Sequence, residues 1–315
     1  MKFLRFLEGL RTPFFDTVFS LITRLGEETI FLVLAIFIFW CVSKREGYYI
    51  LITGLVGTVV NQTLKLACKV PRPWKDPTFT VVESAVEEAT GYSFPSGHTQ
   101  NAVGTFGGIA RWSKNKGIRI TMITLALLVA FSRMYLGVHT PYDVAFSMIF
   151  GALLVFLLYP IFKTEESFKK YMPYVAVIST LLAFGNLLYA ILIPSADVDP
   201  ENLASSLKNG ATLLGCTMGL IPVYLLDLKF IKFETKAKWY AQVIKLVLGL
   251  AILLLIKEGL SSPLEALFGN ENVARGVRYF LVVMFAGSVW PLTFGYFSRL
   301  RIKFLDELSN NKKHK

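Results

Sequence analysis

The sequence predicts an all-α, polytopic membrane protein with about nine transmembrane helices, because its apolar residues form repeated long blocks. Hydrophobic residues make up 54% of the 315 residues, and the mean hydropathy is +0.52. A bilayer core about 30 Å thick requires roughly 20 apolar residues per helix. Blocks that approach this length recur from residue 28 to residue 297.

The expected spans follow the apolar blocks in chain order. They are Glu28–Cys41, Tyr48–Leu66, Thr99–Trp112, Ile118–Leu136, Asp143–Phe162, Tyr171–Ile193, Ala204–Leu226, Tyr240–Ile256 and Ala274–Phe297.

The N-terminal segment differs from these blocks, because its apolar run is short and is broken by Asp16. We therefore interpret residues 1–26 as an interfacial segment rather than a cleaved signal peptide. A tenth span formed by this segment is the alternative. The chain then divides into a core at 27–163 and additional helices with a basic tail at 164–315.

The formal net charge of +11 comes mainly from short connections between apolar blocks. This placement is typical of topology signals and argues against nucleic acid as a partner. The basic connections alternate along the chain, which places them and the C-terminus in the cytoplasm; they are Lys44–Arg45, Arg111–Arg119, Lys163–Lys170, Lys229–Lys238 and Arg299–Lys315. Lys2, Arg5 and Arg11 are an exception, because nine spans would put them outside.

Three polar clusters stand at the ends of the expected helices. They are the segment Lys65–Pro73, the segment Pro95–His98, and the set of Ser132, Arg133, His139 and Asp143. Ionisable residues at membrane depth are costly and are therefore functional candidates. The first two clusters flank the loop after the second span and the third follows the fourth span, so all three emerge on one side, extracytoplasmic by the charge pattern.

These clusters predict a phosphate site. Lys65, Arg72 and Arg133 offer three cations, and guanidinium groups suit a tetrahedral oxyanion. Ser96 and Gly97 precede a helix, whose free N–H groups bind phosphate. No cluster has the spacing of a metal site, and Cys41, Cys68 and Cys216 are scattered, so we expect no metal and no cofactor.

Two of the three histidines belong to the clusters, and the third, His314, lies in the polar tail. A lone histidine is more often structural, but here two accompany three cations. Asp143 follows His139 by four residues and can fix its tautomer if the segment is helical. His139 is then a candidate nucleophile and His98 a candidate proton donor.

At these residues the sequence resembles the type 2 phosphatidic acid phosphatase (PAP2) superfamily, whose pattern is K-x6-R-P, P-S-G-H and S-R-x5-H-x3-D. All three motifs are intact. The resemblance implies a vanadium-haloperoxidase-like helical core over about Glu28–Phe162, attack by His139 on phosphorus, protonation of the leaving group by His98, and metal-free hydrolysis. The extra spans, and weakly the stretch Leu207–Gly215, look like the glucose-6-phosphatase and sphingosine-1-phosphate phosphatase branches.

We therefore expect an integral-membrane phosphatase acting on a phosphomonoester or pyrophosphate of a membrane lipid, in a bacterial inner membrane. Alternatives are a sugar-phosphate phosphatase, a phosphate-binding lipid transporter that does not hydrolyse, and a haloperoxidase, which membrane embedding disfavours. The acidic loop Trp74–Phe94, with Asp76, Glu83, Glu87 and Glu88, is either a solvated lid or a repulsive element. The C-terminal helices could form a homodimer face.

Overall fold

The protein, a computed structural model that describes residues 1–87 and 89–301, is a bundle of helices, and the described residues include no strand. The expected all-α membrane class is thereby confirmed. Glu88 and the basic tail from residue 302 onward, with His314, lie outside the described residues. The helices are α1 Lys2–Glu8, α2 Pro13–Arg24, α3 Glu28–Phe37, α4 Lys44–Cys68, α5 Gly97–Ala102, α6 Gly108–Trp112, α7 Lys116–Tyr135, α8 Pro141–Lys163, α9 Glu165–Leu192, α10 Pro200–Met218, α11 Leu220–Leu226, α12 Trp239–Gly259, α13 Ser261–Phe268, α14 Glu271–Met284 and α15 Phe294–Arg299.

Several of these helices are joined by single π turns. The turns are Ile38–Val42 after α3, Val103–Gly107 between α5 and α6, Asp227–Ile231 after α11 and Phe285–Val289 after α14. Short 3₁₀ turns occupy Pro73–Lys75, Glu83–Ala85, Ser195–Asp197 and Trp290–Thr293.

Within the described ranges, seven helical stretches are long and apolar enough to cross a membrane. They are Lys44–Lys75, Lys116–Tyr135, Pro141–Lys163, Glu165–Leu192, Pro200–Ile231, Trp239–Phe268 and Glu271–Arg299. An eighth candidate is the pair Pro13–Arg24 and Glu28–Val42, which is bent by 46°. With the shorter helical stretch formed by α5 and α6, this arrangement is compatible with the expected nine.

Helix α4 organises the bundle. It packs against α3, α5, α8, α9 and α10. The stretch Lys44–Lys75, which contains α4, has the largest buried share of the seven candidate spans. Ser43 caps its first turn by accepting a hydrogen bond from the Glu46 amide, and Lys69 ends it in the left-handed conformation, with φ 50°. Lys65, in the last turn of α4, therefore lies at one end of the bundle.

The basic connections meet at the other end. Lys44 contacts Asp227 at 2.7 Å, and Arg45 lies 3.9 Å from Glu165, so the connections before α4, before α9 and after α11 are neighbours. The guanidinium of Arg111 lies 4.3 Å from the centre of the Tyr159 ring near the end of α8. Lys44, Arg45 and Arg111, which belong to three of the contacts between the described basic connections and their neighbours, thus lie at this end of the bundle.

The N-terminal helices contact the end that carries Lys65. Arg11 donates to the carbonyl of Thr80 at 2.7 Å and to that of Tyr135 at 3.0 Å. The Tyr135 hydroxyl donates to Asp16 at 2.9 Å, and the Glu8 carboxylate accepts from the Thr80 amide at 2.9 Å. Glu8 and Asp16 thus place negative charge near Arg11 at this end of the bundle.

Candidate active site

Lys65 and Arg72 lie on either side of the break that ends α4. The Lys65 ammonium donates to the carbonyl of Tyr92, and it also reaches that of Thr90 at 3.5 Å. Arg72 donates to the carbonyls of Thr90 at 2.6 Å, Gly91 at 2.9 Å and Val138 at 3.1 Å. Because both side chains are buried and tied to the same loop carbonyls, they present their positive charge from a fixed position.

His139 lies between Arg72 and Asp143. Its Nε2 atom is 2.9 Å from Nη1 of Arg72, and its Nδ1 atom is 3.5 Å from Oδ2 of Asp143. A guanidinium group can only donate, so the first contact requires a lone pair on Nε2. The ring proton therefore belongs on Nδ1, on the side of Asp143.

Asp143 is held by the start of α8. It sits at the third position of that helix and forms a capping box with Thr140, whose amide donates to Oδ2 at 2.8 Å. The hydroxyl of Ser93 donates to the same oxygen at 2.6 Å. Since Asp143 is 2% exposed and Ser93 is fully buried, this carboxylate has a fixed orientation behind the imidazole.

Ser96, Gly97 and His98 form the start of α5. The Ser96 hydroxyl caps the helix by accepting from the amide of Thr99 at 3.4 Å, and it lies 2.9 Å from the Thr99 hydroxyl. Ser96 is fully buried, whereas Gly97 and His98 line a cavity. In this structure, then, Ser96 stabilises the turn that exposes the backbone at Gly97.

Arg133 reaches the same cavity from the last turn of α7. Its side chain is fully buried, and Nη1 donates to the hydroxyl of Thr23 at 2.6 Å. Thr23 belongs to α2, so the N-terminal helices hold one of the three cations in position.

The cavity has a volume of about 310 Å³ and brings together six of the eight sequence-predicted residues. These are Lys65, Arg72, Gly97, His98, Arg133 and His139. The other two, Ser96 and Asp143, do not line the cavity. Ser96 caps the helix that begins at Gly97, and Asp143 lies against His139. No group of three or more histidine, cysteine or carboxylate side chains suited to a metal ion occurs in residues 1–87 and 89–301.

The electrostatics of the cavity favour a neutral imidazole. Burial, and then the positive charges of Arg72, Arg133 and Lys65, hold the pKa of His139 well below the ordinary value for histidine. His139 lies in the connection between α7 and α8. At neutral pH its Nε2 atom thus retains the lone pair that a nucleophile needs.

Several residues of this site carried no signal in the sequence. Thr23 and Ser93 act on Arg133 and Asp143, and both are isolated hydroxyls outside the three clusters. The cavity is also lined by Glu27 and Glu28 before and within α3, and by Asn209 of α10, which lies more than a hundred positions beyond His98.

Comparison with known proteins shows which family the chain belongs to. The family model for the PAP2 superfamily matches residues 45–167, and the one for the transmembrane extension of PAP2 superfamily phosphatases matches residues 208–302. Phosphatidylglycerophosphatase B of Bacillus subtilis is 33% identical over 157 residues, which cover 47% of this chain and 75% of that protein. The chain belongs to the PAP2 superfamily.

Other relatives differ in the substrates that their names state. Undecaprenyl-diphosphatase BcrC of Bacillus subtilis is 33% identical over 117 residues, 37% of this chain and 58% of that protein. Sphingosine-1-phosphate phosphatase 1 of Mus musculus is 24% identical over 263 residues, 76% of this chain and 58% of the relative. The chain thus spans somewhat more than half the length of these two relatives.

No solved structure matches the chain. Membership of the PAP2 superfamily confirms the resemblance inferred from the three motifs, and the names of the relatives support the expected class of enzyme, a phosphoric ester hydrolase. The division of the chain at residue 163 stays a prediction.

Proposed function

We propose that this PAP2 protein hydrolyses a phosphate ester or diphosphate on a membrane lipid through a phosphohistidine on His139. The observation that carries the proposal is the position of His139, with Asp143 beside Nδ1 and Arg72 beside Nε2, in a cavity that Lys65 and Arg133 also line. Binding of phosphate alone would need the cations but not an oriented imidazole.

In the proposed first step, Nε2 of His139 attacks phosphorus while the bond from phosphorus to the leaving oxygen breaks. The three cations and the backbone at Gly97 stabilise the charge on the phosphoryl oxygens. His98, which lines the same cavity, gives a proton to the leaving oxygen. The alcohol or phosphate-bearing lipid then departs.

In the second step, water attacks the phosphohistidine. His98 takes a proton from this water, the bond between phosphorus and Nε2 breaks, and inorganic phosphate is released. The hydrogen bonds from Ser93 and Thr140 keep the Asp143 carboxylate against Nδ1 throughout both steps.

We further propose that the cavity opens to the extracytoplasmic side of a bacterial plasma membrane. Basic connections gather at the end of the bundle that carries Lys44, Arg45 and Arg111. Such connections are retained on the cytoplasmic side. The cavity lies at the opposite end, where a lipid headgroup at the outer interface can reach it.

The direct test is release of phosphate by the purified, detergent-solubilised protein. Phosphatidate, sphingosine 1-phosphate, undecaprenyl diphosphate and glucose 6-phosphate serve as substrates for the wild type, for His139→Ala, and for Tyr142→Ala. Tyr142 is a matched control because it lies three positions away and is 83% exposed. Release from lipid substrates that is lost only in His139→Ala supports the proposal.

Other outcomes favour the alternatives. Release from glucose 6-phosphate alone would identify a sugar-phosphate phosphatase. No release from any of the four substrates would instead favour a protein that binds phosphorylated lipid without hydrolysing it.

A further inference from the structure

A second cavity lies at the end of the bundle opposite the active site. It has a volume of about 640 Å³, and its lining comes from within the segments 42–48, 165–169 and 224–236; we call it the basic cavity. Arg45, in its lining, and Lys65 are twenty positions apart on α4, which corresponds to about 30 Å of helix. No residue lines both cavities, so the two are separate sites.

Cations outnumber carboxylates in the basic cavity. Within the described chain its lining contains five lysines and arginines against three carboxylates, an excess of two positive charges. The Asp227 carboxylate accepts a hydrogen bond from Lys44 at 2.7 Å. Lys232 and Lys236 form no ion pair with any residue that the structure describes. Glu46 is buried outside this lining. The cavity therefore favours an anionic ligand.

Two enclosed donor groups of this lining have no partner in the described part of the chain. They are Nε of Arg45 and the hydroxyl of Tyr48, three positions apart on one face of α4. Tyr48 is 2% exposed, and its hydroxyl interacts electrostatically with Asp227 and Tyr224, which also line the cavity. Because buried donors without acceptors cost free energy, this pair fits a ligand rich in acceptor oxygens.

Apolar side chains complete the lining. The rings of Tyr48, Phe168 and Tyr224 pack against one another, with centroids 5.6–6.4 Å apart. Val42 and Leu228 also line the cavity, and each is 42% exposed. A ligand that contacts both the cations and these exposed apolar residues needs an anionic headgroup and hydrocarbon chains. A phospholipid has both, and basic cavities between membrane helices suit such headgroups.

We propose that the basic cavity binds the headgroup of an anionic phospholipid from the leaflet that faces the basic connections. The phosphate oxygens accept hydrogen bonds from Arg45 and Tyr48, and Lys236 adds positive charge. Because the lining draws on both segments matched by the family models, 45–167 and 208–302, the lipid links the core to the C-terminal extension. This site is separate from the active site and does not depend on the proposed hydrolysis.

The test measures equilibrium binding of a fluorescent phosphatidylglycerol to the full-length protein in detergent micelles. Unlabelled phosphatidylglycerol, phosphatidylcholine and inorganic phosphate serve as competitors. Tyr48→Phe removes only the hydroxyl without a partner. Tyr49→Phe is the matched control, because Tyr49 is the next residue, is buried, donates to the carbonyl of Val155 at 2.8 Å and does not line the cavity.

We expect Tyr48→Phe to weaken binding of phosphatidylglycerol about fivefold, because one hydrogen bond to the phosphate is lost. The midpoint of thermal unfolding of the lipid-free variant should not fall, since the hydroxyl has no protein partner to lose. Tyr49→Phe should show the opposite pattern, with a lower midpoint and wild-type affinity. Phosphatidylcholine, which has no net charge, should compete about tenfold less well than phosphatidylglycerol.

A second pair of variants tests the charge of the cavity. Lys236→Gln removes a lysine of the lining, whereas Lys229→Gln removes an exposed lysine of the same connection that lies outside it. Lys236→Gln should weaken binding of phosphatidylglycerol about fivefold, and Lys229→Gln should leave the affinity within about twofold of the wild type. Arg72→Gln, which alters the active-site cavity, should leave the affinity unchanged.

Three results would overturn the inference. One is an equal affinity for phosphatidylglycerol in the wild type, Tyr48→Phe and Lys236→Gln. Another is weaker binding in Arg72→Gln alone, which would place the lipid in the active-site cavity. The third is displacement of the labelled lipid by inorganic phosphate as effectively as by unlabelled phosphatidylglycerol, which would assign the basic cavity to a soluble anion.

Discussion

Nη1 of Arg72 lies 2.9 Å from Nε2 of His139, so the atom proposed to attack phosphorus also faces the cation that is to bind the phosphate. The same arginine is held by the carbonyls of Thr90, Gly91 and Val138. A phosphoryl group entering the cavity would come between the guanidinium and the imidazole. Arg72 would thus exchange its contact with Nε2 for one with a phosphoryl oxygen.

A covalent intermediate on His139 is the first consequence that can be measured. Lipid substrate labelled with ³²P, quenched rapidly in denaturant, should leave a label that is stable in base and lost in acid, as expected of a phosphohistidine. His139→Ala should carry no label and should lose about a thousandfold or more in kcat. A label that persists in His139→Ala would assign the nucleophile to another residue.

Arg72 should influence the pH at which kcat/KM falls on the acidic side of its pH profile. Burial and the cations lower the pKa of His139, so its neutral form persists well below the ordinary value of about 6.5. Arg72→Gln removes one positive charge, which raises the pKa of His139, and the acidic limb of kcat/KM should move to higher pH. Arg111→Gln, which removes an arginine at the opposite end of the bundle, should not move it. An acidic limb at the same pH in Arg72→Gln and the wild type would contradict the assignment.

Ser93 should act as a positioning residue for Asp143. Its hydroxyl donates at 2.6 Å to the oxygen that faces His139, while the Thr140 amide supplies a second hydrogen bond. Ser93→Ala removes a hydrogen bond to a charged group, typically about 1.5–3 kcal/mol, so we expect kcat to fall about tenfold or more with little change of KM. Ser84→Ala, an exposed serine in the same loop, is the control. Equal kinetics for the two variants would argue against this role.

The grouping of the candidate site residues at one end of the molecule could be predicted from the sequence because its signals are local. Lys65, Arg72, His98 and His139 are costly residues at helix ends, and the number of spans between them predicts that they share one side of the membrane. Thr23 and Ser93, which contact Arg133 and Asp143, have no such signal, since hydroxyls are common in helices and loops. Their roles follow only from the packing of distant segments.

A buried ionisable residue does not by itself mark a functional site. Lys245 in α12 is 1% exposed, yet its ammonium donates to the carbonyl of Trp40 at 2.8 Å and lies 4.3 Å from the centre of the Phe294 ring. It does not line the active-site cavity. What distinguishes Arg72 from Lys245 is the histidine beside it.

Hydrolysis should not depend on a divalent metal ion. The proposed mechanism places positive charge on the protein through Lys65, Arg72 and Arg133, and the described residues include no cluster suited to a metal. Incubation with EDTA followed by desalting should leave kcat within about twofold of the untreated enzyme. A loss of activity that Mg²⁺ or Zn²⁺ restores would require a metal in the mechanism.

The side of the membrane on which the cavity opens can be tested with two matched cysteines. Both variants are made in a protein in which Cys41, Cys68 and Cys216 are replaced by alanine. Glu83→Cys introduces a cysteine in the loop near the cavity, and Glu166→Cys introduces one in a basic connection. Both positions are exposed. A membrane-impermeant maleimide applied to intact cells should label Glu83→Cys, whereas Glu166→Cys should react only after the cells are opened, because positive charge keeps its connection in the cytoplasm. The reverse pattern would place the cavity on the cytoplasmic side, and the substrate would then have to come from the inner leaflet.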